Sequence, residues 1–316
     1  MPSTRVAILD DYQQVALTSA DWSAIRDQID ITVFTDTIAD EDALAERLHP
    51  FTVVSTMRER TKLSAALIDR LPNLKLITIT GHRNASIDIA HAKGKNILVL
   101  GTDSKGNSTL EHIWALILAT ARGVAIEDAN IRARKPQWQS IIPIGLEGRT
   151  LGLVGVGLLG TKTAQIAKAF GLKVIGWSPH LTPERAREAG VEYIASKEEL
   201  FKQSDIVSLH LVLSDRTHHI ITAADIALLK PTALFVNTAR GPLVEEPALV
   251  EALRGKKIAG AGLDVFEVEP LPLDHPLRSL DNVTLSPHNG YVNDTNYEVF
   301  WGQTVENITK FLQGNY

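Results

Sequence analysis

Apolar residues in the N-terminal third of the chain fall in short dense runs, separated by longer stretches where they recur at helical spacing. The runs at 5–9, 31–34, 52–55, 74–78 and 97–100 have the length and branched content of buried strands. The stretches 19–28, 40–48, 64–71 and 87–93 between them read as helices. Asp40 and Ser64 stand where N-caps are expected, and Gly94 where a C-cap is. Strand and helix in alternation predict a parallel sheet covered by helices on both faces. A longer amphipathic stretch, 108–126, leads to a second series of strand-like runs at Lys173–Trp177, 206–210, 233–237, 258–263 and Val283–Leu285. The last helical stretch, Asp294–Gln313, follows the final strand and would most simply cross back to the first sheet. The predicted fold class is α/β, with two doubly wound parallel-sheet domains. One is split over 1–100 plus 290–316, and the other spans 101–289.

Between the two series lies the run TLGLVGVGLLG, ending at Gly160. Gly155, Gly157 and Gly160 have the spacing GxGxxG after an apolar strand and before a helix predicted at 161–170. Gly155 would turn the chain tightly, Gly157 would admit a pyrophosphate to the backbone, and Gly160 would let helix and strand pack closely. The N-terminal N–H groups of that helix would then face the phosphates. A glycine-rich turn alone can be purely structural. With a strand before it, a helix after it and a second strand at Lys173–Trp177, the run completes a βαβ unit, and a dinucleotide is the expected ligand.

Bulk properties narrow the rest. A hydrophobic fraction of 44% with 22% charged residues fits a globular protein, and a net charge of −5 without like-charged blocks favours neither nucleic acid nor an anionic membrane. The apolar stretch 113–126 is interrupted by Arg122 and too short to span a bilayer, and the start lacks a signal-peptide pattern. With no cysteine the chain has no disulfide or thiolate nucleophile, which accords with a cytoplasmic location. The ten histidines show no metal-ligand spacing. His218 and His219 would point to opposite sides of any regular element, so no metal is expected.

In open α/β sheets ligands lie beyond the carboxyl ends of the strands. Two such sheets facing each other would form a cleft, and charged residues at strand ends become catalytic candidates. Arg240 ends ALFVNTAR, Asp264 ends IAGAGLD, His288 follows VTLSP, and Glu269 lies just beyond Asp264. Each alone has a plain structural reading as a surface charge, a solvated loop residue or a turn histidine. Chemically matched groups at several ends of one sheet favour a functional one.

These motifs, in this order, resemble the D-isomer-specific 2-hydroxyacid dehydrogenases over nearly the whole chain. The matching segments are LGLVGVGLLG, NTARG around Arg240, GLDVFEVEP around Asp264 and Glu269, and LSPHNG around His288. Upstream, GTDSKGNSTLEH looks like the family's hinge and first interdomain helix, and LPNLKLITITG like the strand leading to its substrate loop. The resemblance implies a flavodoxin-like substrate domain, a Rossmann domain for NAD or NADP and, usually, a homodimer. It implies cofactor contacts from Gly155, Gly157, Leu158, Leu159, Gly160, Trp177, Ser178, Pro179, His210, Val212, Thr217, Thr238, Ala239, Arg240, Asp264, His288 and Gly290. Asp264 would bind the nicotinamide carboxamide. Arg240 would hold the substrate carboxylate with its planar fork and polarise the C2 oxygen. His288 would be the general acid in reduction and the base in oxidation, with Glu269 orienting it and favouring its protonated form. Formate dehydrogenases of similar architecture carry glutamine where Glu269 stands, so this pair argues for a hydroxy acid. An end at Tyr316 would leave no room for the regulatory domain of many phosphoglycerate dehydrogenases.

Three positions depart from the family pattern. Ser178 replaces the Asp of NAD-preferring members, which removes repulsion of a 2′-phosphate and leaves NAD and NADP both open. Arg185, and His180 if protonated, could serve a phosphate there. His210-Leu-Val212 replaces His-x-Pro. The substrate loop reads Gly81-His82-Arg83-Asn84-Ala85, where Arg83 stands in a usually glycine-rich stretch, and Arg58 and Arg60 would add positive charge to the same mouth. Arg83 has a structural alternative, paired with an acid or turned to solvent. The leading expectation is an oxidoreductase interconverting a small 2-oxo acid and 2-hydroxy acid. An NAD(H)-sensing binding protein of corepressor type, or a dehydrogenase of another small anion such as phosphite, are the alternatives on the same fold.

Overall fold

The computed structural model describes residues 4–316, which divide into two compact units, 4–106 with 292–316 and 107–291. The boundaries thus fall after Gly106 and Tyr291 rather than at 100 and 289.

The first unit is a five-stranded parallel sheet in the order β2-β1-β3-β4-β5. Its strands are β1 (Thr4–Ile8), β2 (Ile29–Val33), β3 (Val53–Thr56), β4 (Leu76–Ile79) and β5 (Leu98–Gly101). Helices α1 (Glu41–Leu48), α2 (Ala65–Asp69) and α3 (Ile89–Gly94) connect them. Every residue of β3 and β4 is buried, the pattern of central parallel strands covered on both faces. Asp40, Ser64 and Asp88 each accept a backbone N–H in the first turn of the helix that follows. This order is the flavodoxin-like one, with its switch point between β1 and β3.

The second unit carries α4 (Ser108–Arg122) and α5 (Val124–Arg132) and then a seven-stranded parallel sheet, β12-β11-β10-β9-β6-β7-β8. The strands are β6 (Thr150–Val154), β7 (Lys173–Trp177), β8 (Glu192–Tyr193), β9 (Ile206–Leu209), β10 (Leu234–Asn237), β11 (Gly260–Leu263) and β12 (Val283–Leu285). Helices α6 (Leu158–Ala169), α7 (Pro183–Ala189), α8 (Lys197–Gln203), α9 (Ala223–Ile226) and α10 (Glu246–Arg254) cover it. This is the Rossmann order extended by one strand, with its switch point between β6 and β9. Gly262 of β11 lets α4 lie directly on the sheet, since a Cβ there would be 2.6 Å from the Thr120 hydroxyl. The final helix, α11 (Asp294–Gln313), packs against β4 in the first unit.

Several sequence expectations need correction. The stretch 19–28 is a set of turns with a single 3-10 turn at Arg26–Gln28. Within the stretch the Asp21 carboxylate takes the Ser23 N–H, and just upstream Asp11 takes the N–H groups of Val15 and Ala16 while Trp22 Nε1 donates to the Ala16 carbonyl. Such local side-chain bonds compete with the helix ladder. The stretch 108–126 is broken at Gly123, whose left-handed backbone (φ 63°) caps α4 and opens α5. Gly94 is the last residue of α3, and the left-handed residue after that helix is Asn96 (φ 59°). The fingerprint helix begins at Leu158 rather than 161, and the two-residue β8 carries too little pattern to be read. Among the described residues no single helix is long and apolar enough to cross a membrane.

Candidate active site

Register brings five strand ends of the second unit level. Val154 pairs with Leu209, Leu209 with Asn237, Asn237 with Leu263, and Leu263 with Leu285. The residues that follow, Gly155, His210, Thr238, Asp264 and Ser286, therefore lie along one edge of the sheet.

At the switch point the three glycines do three different things. Gly155 has φ 105°, and a Cβ on it would lie 2.8 Å from the His210 backbone. A Cβ on Gly160 would collide with the Gly155 carbonyl, so this glycine sets the approach of α6 to the turn. A Cβ on Gly157 would meet nothing within 4 Å. Gly157 is also the N-cap of α6 and offers no side chain to its first N–H groups. An uncapped twelve-residue helix opening onto free space fits the pyrophosphate of a dinucleotide. Leu158 is exposed and Leu159 half-buried beside it.

The β7 end carries half-buried Trp177 and Ser178, then exposed Pro179 and His180. Arg185 of α7 reaches back to donate to the His180 carbonyl (3.3 Å), which sets a guanidinium beside that turn. His210 has its Nε2 buried without a hydrogen-bond partner, and burial pushes the imidazole down to about 4, so it is neutral at physiological pH. Val212 is 83% exposed. The Thr217 hydroxyl is engaged within its own loop, donating to the Val212 carbonyl (2.8 Å) and accepting from the Ser214 N–H (2.8 Å).

Beyond β10, Asn237 fixes the turn that presents Arg240: its amide donates to the Arg240 carbonyl (2.9 Å) and accepts from Ala239 N–H (3.0 Å). Thr238 is buried in this turn. Arg240 is half-buried and donates to the Ala239 carbonyl (2.6 Å). Gly241 then lies against the Phe266–Glu267 main chain so closely that a Cβ would overlap the Phe266 carbonyl. The loop bearing Arg240 and the loop bearing Glu269 are thus in direct backbone contact.

Glu269 uses one oxygen to accept the Phe266 N–H (2.9 Å) and the other to meet His288 Nδ1 (2.6 Å). His288 has a left-handed backbone (φ 54°), and its N–H donates to the Asp264 carbonyl (2.8 Å). With Nδ1 held by the carboxylate, Nε2 is the ring nitrogen left to meet another group. Asp264 is fully buried and its side chain accepts from the N–H groups of Asn289 (2.7 Å) and Gly290 (2.8 Å). His112 Nε2 of α4 lies 3.0 Å from Asp264 and 2.9 Å from the Ser286 hydroxyl. Burial by itself would raise the Asp264 carboxyl. Hydrogen bonds from His112 and Ser286, the charge on His112 and the Asn289 N–H outweigh it and hold the group below its ordinary range. His112, Ser286 and Asn237 were not singled out from the sequence. His112 does lie within the segment GTDSKGNSTLEH, but no spacing links it to a partner 152 residues away.

In the first unit Gly81 (φ 93°) is buried and has no room for a Cβ because the Arg58 guanidinium lies across it. Arg58 donates through Nη1 to the Thr80 carbonyl (2.9 Å), and the Asn84 amide donates to the Arg58 carbonyl (2.5 Å). His82 pairs with Asp103 at 2.8 Å, and Arg83 is exposed. Arg60 donates to the Asp10 carbonyl (2.9 Å) and lies over the Tyr12 ring.

The histidine pair behaves differently from the sequence expectation. His219 is left-handed (φ 49°) in an irregular loop, so the two rings turn to the same side, 4.0 Å apart. Among the described residues, His218, His219 and Glu267 bring three possible metal-ligand atoms within 4.8 Å of one another. Two ligand atoms each about 2.1 Å from one tetrahedral zinc lie roughly 3.4 Å apart, so the His219–Glu267 distance of 3.6 Å is compatible with a shared ion.

Comparison with known proteins agrees with this geometry. The family profile "D-isomer specific 2-hydroxyacid dehydrogenase, NAD binding domain" matches residues 114–290. A glyoxylate reductase of Aeropyrum pernix is 38% identical over 279 residues, covering 83% of this chain and 83% of the relative. A D-3-phosphoglycerate dehydrogenase of Methanocaldococcus jannaschii is 38% identical over 262 residues, 83% of this chain but only 50% of that protein, so the chain spans about half of its length. The crystal structure of a phosphoglycerate oxidoreductase from Vibrio cholerae superposes with a TM-score of 0.91 at 38% identity, covering 98% of this chain and 99% of that one. The chain belongs to the D-isomer-specific 2-hydroxyacid dehydrogenases, NAD(P)-dependent oxidoreductases with a two-domain α/β fold.

Proposed function

We propose that this enzyme reduces a short 2-oxo acid to the 2-hydroxy acid, with Arg240, Glu269 and His288 as its catalytic residues. The observation that supports the reading is the 2.6 Å contact of Glu269 with His288 Nδ1, which leaves Nε2 as the nitrogen for proton transfer in this proposal. The nicotinamide supplies the hydride. Arg240 binds the substrate carboxylate and polarises the adjacent carbonyl. His288 donates the proton that the new alkoxide requires, and takes it back in oxidation. Gly155 to Gly160 hold the pyrophosphate, Trp177 to Pro179 and His210 flank the nucleotide, and Thr238, Ala239 and Gly290 line the nicotinamide end. The resemblance gives Asp264 to the carboxamide. Its buried carboxylate already accepts two backbone N–H groups, and that makes it a scaffold as well. Relatives named glyoxylate reductase support a short acid as substrate.

Ser178 leaves a ribose hydroxyl or a 2′-phosphate equally free of repulsion, and Arg185 stands by the same turn. Both cofactors are therefore used, NADPH within about tenfold of NADH, a gap of about 1.4 kcal/mol. The test is a panel of 2-oxo acids with each reduced cofactor, followed by the loss of nicotinamide absorbance. Cofactor binding without turnover on any acid would overturn the catalytic reading, and thousandfold selectivity for NADH would overturn the cofactor reading. Ser178→Asp is expected to shift preference toward NADH.

The working form is a cytoplasmic homodimer. Val124, Ile131, Trp138 and Ile142 leave large apolar side chains exposed over one segment, 58%, 54%, 77% and 96% respectively, as a partner surface would. A monomer mass by light scattering at micromolar concentration would refute it.

A further inference from the structure

His288 sits in a left-handed conformation, φ 54°, that few residues other than glycine adopt willingly. Strain of this kind persists only where the surroundings fix it. Here Asp264 holds the backbone and Glu269 the ring. The N–H groups of His288, Asn289 and Gly290 all donate to Asp264, the first to its carbonyl and the other two to its carboxylate. Successive main-chain N–H groups converging on an anion form a nest, and the nest keeps its shape while the anion stays charged and in place. Gly290 is matched to this arrangement, because a Cβ there would lie 3.1 Å from Asp264 Oδ2.

What keeps a fully buried carboxylate charged and in place comes from outside the nest. His112 Nε2 lies within hydrogen-bond distance of both Asp264 Oδ1 (3.0 Å) and Ser286 Oγ (2.9 Å). An ionised carboxylate only accepts, so His112 Nε2 carries the hydrogen. Neither the strand-end chemistry nor the cofactor cradle requires a histidine on α4.

We propose that His112 is a positioning residue for the reaction: through the Asp264 carboxylate it holds the 288–290 turn in the form that keeps the His288 ring on Glu269. The inference rests on the reading of His288 as the proton-transfer group. A displacement on the order of 1 Å in such a group lowers turnover by about a hundredfold.

The test compares His112→Leu, which removes the donor, with His112→Gln, whose amide reaches about as far as Nε2. Two quantities are measured: steady-state reduction of glyoxylate with NADH and NADPH, and hydrogen exchange of the 288–290 amides in the enzyme without cofactor. For His112→Leu the expected result is a kcat lower by about 10–100-fold, with KM and cofactor Kd changed by less than about threefold. Exchange at 288–290 should quicken by about tenfold or more, and His112→Gln should restore both quantities. If the leucine variant does not fold, His112→Asn, whose amide falls short of Asp264, replaces it with the same expected outcome. Unchanged exchange with kcat within about threefold of the parent overturns the proposal, and so does an equal loss of kcat in the leucine and glutamine variants. Parent enzyme that turns over no 2-oxo acid overturns the functional reading instead, and the exchange measurement then decides the positioning role by itself.

Discussion

The two sheets obey one architectural rule and use it in opposite ways. At the switch point of the second unit, between β6 and β9, the chain leaves room. Gly157 has open space above it, α6 has no side-chain cap, and the His210 Nε2 is buried with no partner. Between β1 and β3 of the first unit, the strand ends are filled with groups that satisfy one another. Asp10 accepts from the Thr61 hydroxyl (2.7 Å) and from Thr37, Arg60 donates to the Asp10 carbonyl, and Arg58 is tied to Thr80. Burial raises the Asp10 carboxyl, partly offset by the bonds from Thr37 and Thr61 and by the charge on Arg60. A switch point is thus a place where a ligand fits, and whether the site is a cradle or a brace depends on what the strand-end side chains do with their own hydrogen bonds.

The sharpest test of that contrast is His288→Ala, which should lower kcat by about 10²–10⁴. Cofactor affinity and melting temperature should stay near those of the parent, because the nest is made by backbone. A large loss of stability instead would mean that the catalytic edge is itself a brace.

The next largest effect is a pH dependence of stability. His210 falls from 6.5 to about 4 by burial, so the unfolded chain takes up its proton first as pH drops. Its contribution is complete above pH 6.5 and is lost progressively down to the folded value, up to about 3 kcal/mol in all. Denaturant titrations of the enzyme without cofactor, at successive pH values, should show this slope, and His210→Gln should flatten it. A parent slope unchanged in the variant would remove His210 as its cause.

Smaller effects should separate Arg58 from Arg83. Arg58→Ala removes a charged hydrogen bond, worth about 1.5–3 kcal/mol, and should lower the melting temperature. Arg83→Ala should leave melting unchanged and raise KM for dianionic 2-oxo acids by about tenfold or less, with glyoxylate affected less. If Arg58→Ala raises KM and leaves stability alone, the first unit is a binding surface at that point too.

Much of this was legible in the sequence because parallel strands buried on both faces leave dense apolar runs, and because GxGxxG ties glycines to a strand and a helix. Strands Lys173–Trp177 and Val283–Leu285 and the helix Asp294–Gln313 are read to the residue. The Glu269–His288 pair is visible because both residues lie in motifs 19 residues apart. The bonds of Asp264 to α4 are not, since a contact across 152 residues leaves no local pattern. The failure at 19–28 has the same origin in reverse: Asp11, Asp21 and Trp22 capture backbone groups locally, and helical periodicity says nothing of that competition. The break at Gly123 was readable in principle, as a glycine in mid-helix that takes a left-handed cap.

The backbone contact at Gly241 has a further consequence for how such an enzyme changes its substrate. Main chain rests on main chain there, with no space for even a methyl group between the Arg240 turn and the 266–267 segment. The spacing between the Arg240 turn and the loop that carries Glu269 is therefore set by main chain against main chain. Acids with different tails share the same reacting end, so a change of specificity must be written into residues that meet the tail. The spacing can stay constant through such changes as long as Gly241 is kept, because any side chain there would force the two segments apart.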